Sequence, residues 1–235
     1  MSLSEPRPFR AEVVAQSMLS PRVRGLSLAT RGPDPIDWVP GQYVEVGLPG
    51  EAKRMPYSIA SAPDPERPGL FELAVLRGSG GGVLDDLVVG GSVEVFGPKG
   101  TFVRQEPAGP PEIYVGTGTG LAPLRAMLQS ALAGGDFPLV VLFGARTETE
   151  ILWRAELEAL SESQPRFRYM ATLSQPQNGW TGARGRVQDH LADVVVPHPD
   201  ARIYVCGVSE MVAECVAKLT AELSIPRERV VTEGH

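Results

Sequence analysis

The run Gly116-Thr117-Gly118-Thr119-Gly120-Leu121-Ala122-Pro123-Leu124 constrains this chain more than any other stretch. An apolar segment, Glu112-Ile113-Tyr114-Val115, precedes it. After it, Leu121, Leu124, Met127, Leu128, Ala131 and Leu132 recur at the spacing of one buried helix face. Strand, glycine-rich turn and helix in that order form a phosphate cradle. Glycines let the backbone approach an anion, and the helix N-terminus offers unpaired N–H groups carrying partial positive charge.

The chain around this run divides into two halves of different period. From Phe9 to about Glu106 it is short, alternating and turn-rich, which predicts strands at Phe9–Gln16, Val23–Ala29, Tyr43–Gly47, Tyr57–Ser61, Phe71–Leu76 and Ser92–Phe96. Six such strands imply a six-stranded antiparallel Greek-key barrel, with a short helix fitting only at Val83–Val88. Beyond the loop Glu106-Pro107-Ala108-Gly109-Pro110-Pro111 the pattern changes. Strands at Ile113–Val115, Leu139–Phe143, Arg166–Leu173 and Ile203–Val205 alternate with helices near Leu121–Leu132, Glu150–Leu160 and Ser209–Leu223. That alternation predicts a parallel sheet with crossover helices, a nucleotide-binding α/β domain. The proline-rich loop sets the expected domains at 1–108 and 109–235.

Composition excludes several classes. A net charge of −6 argues against a nucleic-acid surface. No apolar run approaches the roughly 20 residues that span a bilayer, so no membrane insertion is expected. The first residues lack the apolar core of a signal peptide, and a cytoplasmic location is the expectation. Cys206 and Cys215 are the only two cysteines, too few for an iron–sulfur cluster held by this chain alone. His190 and His198 have no partners at metal or triad spacing, and no metal site is expected. Met1-Ser2-Leu3 and Glu233-Gly234-His235 resemble the flanks that an expression vector leaves.

Motifs accumulate in a fixed order. Pro40-Gly41-Gln42-Tyr43-Val44 opens a barrel strand. Arg54-Met55-Pro56-Tyr57-Ser58-Ile59-Ala60-Ser61 follows, then the glycine-rich Arg77-Gly78-Ser79-Gly80-Gly81-Gly82-Val83-Leu84 and the turn Gly97-Pro98-Lys99-Gly100-Thr101-Phe102. In the second half the glycine turn is followed by Phe143-Gly144-Ala145-Arg146-Thr147, Leu173-Ser174-Gln175 and Tyr204-Val205-Cys206-Gly207-Val208-Ser209-Glu210-Met211. Together, over about residues 9 to 232, these resemble the ferredoxin–NADP reductase superfamily, two-domain flavoenzymes that pass electrons between a nicotinamide and a one-electron carrier.

The resemblance implies a flavin-dependent NAD(P)H oxidoreductase, with FAD as the bound cofactor and FMN the alternative. On the flavin side it assigns Arg54, Tyr57, Ser58 and Ile59, and the phosphate loop at Gly81, Gly82, Val83 and Leu84. On the nicotinamide side it assigns Gly116, Thr117, Gly118, Thr119, Gly120, Pro123, Arg146, Cys206, Gly207 and Met211. Ser58 and Cys206 form the implied catalytic pair flanking hydride transfer. Arg54 stands three residues before the tyrosine, where the family has it two before. Either the strand bulges at Met55-Pro56 and re-aims Arg54, or Arg54 does not hold the phosphate. Leu84 replaces the usual Ser or Thr, and Asp85 and Asp86 are expected to face solvent. Gln175 stands where NADP-specific relatives often carry arginine, which favours NADH over NADPH. The implied acceptor is a redox protein: a ferredoxin, an iron–sulfur or haem protein, or an oxygenase component. A free-flavin reductase, and an electron-transfer subunit without independent turnover, stay open at this point.

Overall fold

The computed structural model describes residues 4–32, 35–78, 84–105 and 109–234. The first half is an antiparallel sheet of β1 (Arg7–Ser20), β2 (Val23–Arg31), β3 (Tyr43–Gly47), β4 (Met55–Ser58), β5 (Leu70–Leu76) and β6 (Ser92–Lys99), in the order β4-β3-β6-β1-β2-β5. Its two edges meet. Ile59 bridges Leu73, and the Ala60 N–H donates to the Glu72 carbonyl at 2.7 Å, so the sheet closes into a barrel. Closure joins the two edges at that point and gives one inner face. The alternation of Val13, Leu26, Leu28, Val44, Val46, Phe71, Leu73, Val93 and Val95 supplies that face, each at most 1% exposed.

The second half is a parallel sheet in the order β10-β9-β8-β7-β11-β12. The strands are β7 (Glu112–Thr117), β8 (Leu139–Ala145), β9 (Phe167–Leu173), β10 (Ala183–Arg184), β11 (Arg202–Gly207) and β12 (Val230–Gly234). Helices α1 (Leu121–Ala133) and α2 (Arg154–Ser163) connect β7, β8 and β9. Helices α3 (Leu191–Val195) and α4 (Ser209–Ala217) flank β11 in the sequence, and α4 runs on as a π-turn to Glu222. Both faces of the sheet are covered. Tyr114, Val141, Phe143, Tyr204 and Cys206 pack on the α1 side, while Ile113, Val115, Val140, Leu142, Ile203 and Val205 pack on the α4 side. This is why these strands read as continuous apolar runs.

The α1-side core is shared with the barrel, for it includes Val23, Ala60, Ala74 and Phe102. Polar ties cross the same junction. The Gln105 N–H donates to the Tyr204 hydroxyl (2.9 Å), and the Ala62 N–H to Gln129 Oε1 (2.9 Å). The expected helix at Val83–Val88 is a turn over the described residues 84–86. Arg24 holds it, donating to the carbonyls of Asp85 (2.5 Å) and Leu87 (2.6 Å).

Candidate active site between the barrel and the parallel sheet

The chain crosses the parallel sheet in two directions from β7. It goes outward through β8 to β10, then returns to β11 on the other side. Such a reversal opens a crevice at the carboxyl ends of the two diverging strands. The glycine turn leaves β7 there, and Cys206-Gly207 ends β11 beside it, with Cys206 paired to Gly116. A cleft of about 570 Å³ opens at this point. Thr117, Gly118, Thr119, Ala145, Arg146, Val208 and Met211 line it from the sheet, and Ser20, Arg22, Val23 and Leu76 line it from the barrel.

Two glycines shape the turn. Gly118 sits at φ +54°, and a Cβ there would meet nothing within 4 Å, so its backbone faces open cleft. Gly120 is the reverse, since a Cβ would come within 2.4 Å of the Cys206 carbonyl oxygen and 2.8 Å of Gly207 Cα. Only a hydrogen fits between α1 and β11. The first turn of α1 carries no acidic side chain, and Pro123 falls where its missing N–H breaks no helical bond. Thr117, Gly207 and Met211 meet at the turn's side, Gly207 lying against Thr117 Oγ1 and Met211 Cε.

Cys206 is fully buried on the α1 side of the sheet. Burial, and then the neighbouring Glu233 carboxylate, raise its pKa, so the thiol stays protonated and neutral. Glu233 itself, in the segment that resembles a vector flank, is a residue of β12 in register with Cys206. Its carboxyl is held above the usual range by burial. Arg146 is paired in advance, with its Nε (3.1 Å) and Nη2 (2.5 Å) on the Glu150 carboxylate.

On the barrel side, the β3–β4 register runs unbroken from Val46–Met55 to Tyr43–Ser58. The bulge that would re-aim Arg54 is therefore absent. Met55 and Tyr57 pack against the barrel core, and Arg54 reaches Glu94 at 3.4 Å instead. Tyr57 is half-buried, and burial followed by the Asp85 charge raises its pKa, which keeps the phenol a hydrogen-bond donor. Ser58 is half-buried opposite Tyr43. The Ile59 side chain lies wholly in the core, and its N–H donates to the Gln42 carbonyl at 2.9 Å.

Leu84 is also a core residue, 1% exposed, which explains the apolar side chain where relatives carry a hydroxyl. Asp85 does not simply face solvent, for its carboxylate accepts the Gly78 N–H at 2.8 Å across the mouth of the glycine-rich loop. Gly81, Gly82 and Val83 lie outside the described residues.

One residue that sequence reasoning passed over bears on the ligand. Gln188 lines the cleft from the 3-10 turn Val187–His190 and is 9% exposed. Its Nε2 donates to Glu214 (2.6 Å), while its Oε1 is buried without a partner. A buried, unpaired acceptor is costly unless a ligand donor meets it, and the amides and hydroxyls of a dinucleotide are such donors. No local spacing marks Gln188, because only the packing of the turn against β8 and α4 brings it to the cleft. With a glycine cradle, no acid in the first helical turn and an orphan acceptor, the site fits a pyridine dinucleotide.

A closed antiparallel barrel sharing a cleft with a doubly wound parallel sheet is the architecture of a two-domain flavin and nicotinamide oxidoreductase. Known proteins share it. The Oxidoreductase FAD-binding domain family matches residues 10–103, and the Oxidoreductase NAD-binding domain family matches residues 114–217. The chain is 40% identical to ferredoxin–NADP reductase B of Sorangium cellulosum, covering 98% of this chain and 99% of that protein. It is 30% identical to the phenol hydroxylase P5 protein of Acinetobacter pittii, spanning 90% of this chain and 61% of that one. The ferredoxin reductase in carbazole 1,9a-dioxygenase superposes with a TM-score of 0.87 at 20% identity, over the whole chain and 71% of that structure. The chain belongs to the ferredoxin–NADP reductase family: it is a flavin-dependent NAD(P)H oxidoreductase that uses FAD and a pyridine nucleotide. Among the described residues, no helix is long and apolar enough to cross a membrane.

Proposed function

We propose that residues 1–108 hold FAD and residues 109–235 present NADH to it, with electrons leaving to a ferredoxin-type iron–sulfur protein or an oxygenase component. The observation that carries this reading is the cleft at the β7–β11 reversal, walled on its other side by the barrel. Bound FAD would accept hydride from the dihydronicotinamide and release electrons singly. The chain supplies orientation and exclusion of water. In this reading the amides of the glycine turn Gly118–Gly120, just before α1, hold the pyrophosphate, and Tyr57 and Ser58 hold the flavin edge. Cys206, wholly buried behind the cleft wall, backs the nicotinamide end with a neutral thiol that does not compete as a nucleophile. The ferredoxin and oxygenase relatives support that class of acceptor.

The preference for NADH rests on charge. Arg22, Arg146 and Arg186 line the cleft against Glu150, Glu210 and Glu214, and Arg146 is already bound to Glu150. Gln175 follows Ser174, and its N–H donates to the Arg146 carbonyl at 2.8 Å. A 2′-phosphate adds negative charge to a lining that has no surplus of positive charge. The test compares kcat/KM for NADH and NADPH in the parent and in Gln175→Arg combined with Glu150→Gln. The parent favours NADH, and the double variant moves toward NADPH by about tenfold or more. A parent that prefers NADPH refutes the assignment. Flavin identity is read separately: FAD that stays with the protein through gel filtration supports a bound cofactor, whereas a colourless protein active only with added flavin supports a free-flavin reductase.

A further inference from the structure

Helix α1 carries a second feature one and a half turns beyond the glycine turn. Arg125 has a side chain only 9% exposed, and its guanidinium reaches in two directions. Toward the barrel, Nη1 donates to the Ala60 carbonyl (2.7 Å) and the Glu72 carboxylate (2.5 Å). Toward its own half, Nε and Nη2 donate to Glu156 of α2 at 2.8–3.0 Å. The guanidinium carbon lies 4.9 Å from the centre of the Trp153 ring. Trp153 is held at φ +50°, a left-handed conformation that a bulky residue keeps only where its surroundings fix it.

The acceptors are not arbitrary surface groups. Ala60 lies two residues after Ser58 in the segment that closes the barrel, and its N–H is bonded to Glu72, the other barrel partner of Arg125. One turn further along α1, Gln129 accepts the Ala62 N–H. At the other end of the same helix, Gly120 abuts the Cys206 carbonyl. A helix is stiff over this length, so one rod joins the Cys206–Gly120 contact to the strand that carries Tyr57 and Ser58. The guanidinium is buried while the Glu72 and Glu156 carboxylates are 37% and 31% exposed, so the pairs add little net stability, but they are directional, and a planar fork meets several acceptors at once where an ammonium cannot.

We propose that Arg125 is a positioning residue that sets the register between the nicotinamide half-site and the flavin half-site. It touches neither ligand. It fixes the offset of α1 against Ala60, and through α1 the distance across which hydride passes. This rests on the two-ligand reading above.

Two measurements separate the possibilities. In the flavin-free full chain, amide exchange at residues 57–62 is expected to accelerate in Arg125→Leu and to stay parental in Glu156→Gln, which removes only the partner within the second half. In the flavin-loaded protein under anaerobic stopped flow, Arg125→Leu is expected to lower the limiting rate of flavin reduction by about 10- to 100-fold. The NADH Kd stays within about twofold, because the glycine cradle is intact. The long-wavelength absorbance of the stacked flavin–nicotinamide pair is lost with the rate. Arg125→Lys, which keeps one crossing contact, falls between, and it carries the test if the leucine variant does not fold. Parental exchange at 57–62, or a parental limiting rate and absorbance in both Arg125 variants despite a lower Tm, overturns the proposal. A parent whose flavin NADH does not reduce refutes the two-ligand reading instead, and amide exchange at residues 57–62 still decides whether Arg125 holds that segment.

Discussion

Replacing Gly120 with alanine puts a methyl group where the structure has no room. The new Cβ would lie 2.4 Å from the Cys206 carbonyl oxygen, 2.6 Å from its carbon and 2.8 Å from Gly207 Cα, against ordinary contacts of 3.4–4 Å. All three atoms belong to the main chain of a strand bonded on both sides, to β7 and to β12, so no side chain can rotate away. Relief needs α1 and β11 to part by about 1 Å. Overpacking of this kind costs about 1–3 kcal/mol, or a fall in Tm of roughly 2–12 °C for a chain of this size. A 1 Å misplacement in the site costs up to about 100-fold in rate. Gly118→Ala serves as the control. Its Cβ enters open cleft, so the left-handed backbone costs about 1–2 kcal/mol, and the main effect falls on nucleotide binding. Both variants lose some thermal stability, so anaerobic flavin reduction by NADH, read as limiting rate against Kd, separates the two. Gly120→Ala should lose stability and limiting rate together, while Gly118→Ala should chiefly raise the NADH Kd. Parental Tm and limiting rate in Gly120→Ala would refute the reasoning.

Further consequences concern the buried groups. Burial raises the pKa of both thiols, that of Cys215 to about 12, so neither should react with Ellman's reagent in the native protein at pH 8, and both should react in guanidinium. The Glu233 carboxyl is held above the usual range by burial, so the folded state binds its proton more tightly than the unfolded chain does. Its stabilising contribution is complete below the unfolded pKa and is lost as pH rises through the folded value. The stability of Glu233→Gln relative to the parent should therefore increase from about pH 4 to pH 7, as read by urea unfolding. Arg104, with a side chain 4% exposed, pairs with the fully buried Glu112 at 2.9 and 3.0 Å. Arg104→Leu should cost about 3–5 kcal/mol by stranding the carboxylate, and joint replacement of both by apolar residues should recover most of it, measured by the same unfolding.

Much of this molecule is legible in the sequence because its signals are local. Tyr43–Gly47 is a strand at the residues that alternation predicts, and α1 begins and ends within a residue of its apolar stripe. The two periods on either side of the proline-rich loop foretell a barrel and a doubly wound sheet. Tertiary effects account for what local patterns miss. β1 runs on to Ser20, past the expected Gln16, by bulging twice against β2, after Val13 and after Met18. β10 has two residues, too few to show a period, and β12 is defined by its pairing with β11, a tertiary contact that local pattern does not show; only its last two residues, Glu233 and Gly234, belong to the segment that resembles a flank.

The sites divide the same way. Gly118 and Gly120 announce themselves as glycines, whereas Gln188 and Arg125 matter only through partners 26 and 65 residues away. Arg54 shows the limit of spacing alone. One extra residue before Tyr57, in an unbulged strand, leaves it with Glu94 on the barrel.

In the proposed function the cleft at the β7–β11 reversal brings NADH to a flavin held by the barrel of the same chain. Anaerobic titration of the purified, flavin-loaded protein with NADH tests this most directly. The visible absorbance of the bound flavin should bleach with one equivalent of NADH, and Gly120→Ala should bleach more slowly to the same end point. A flavin that keeps its absorbance in excess NADH and NADPH alike, or that bleaches only after leaving the protein, would contradict it.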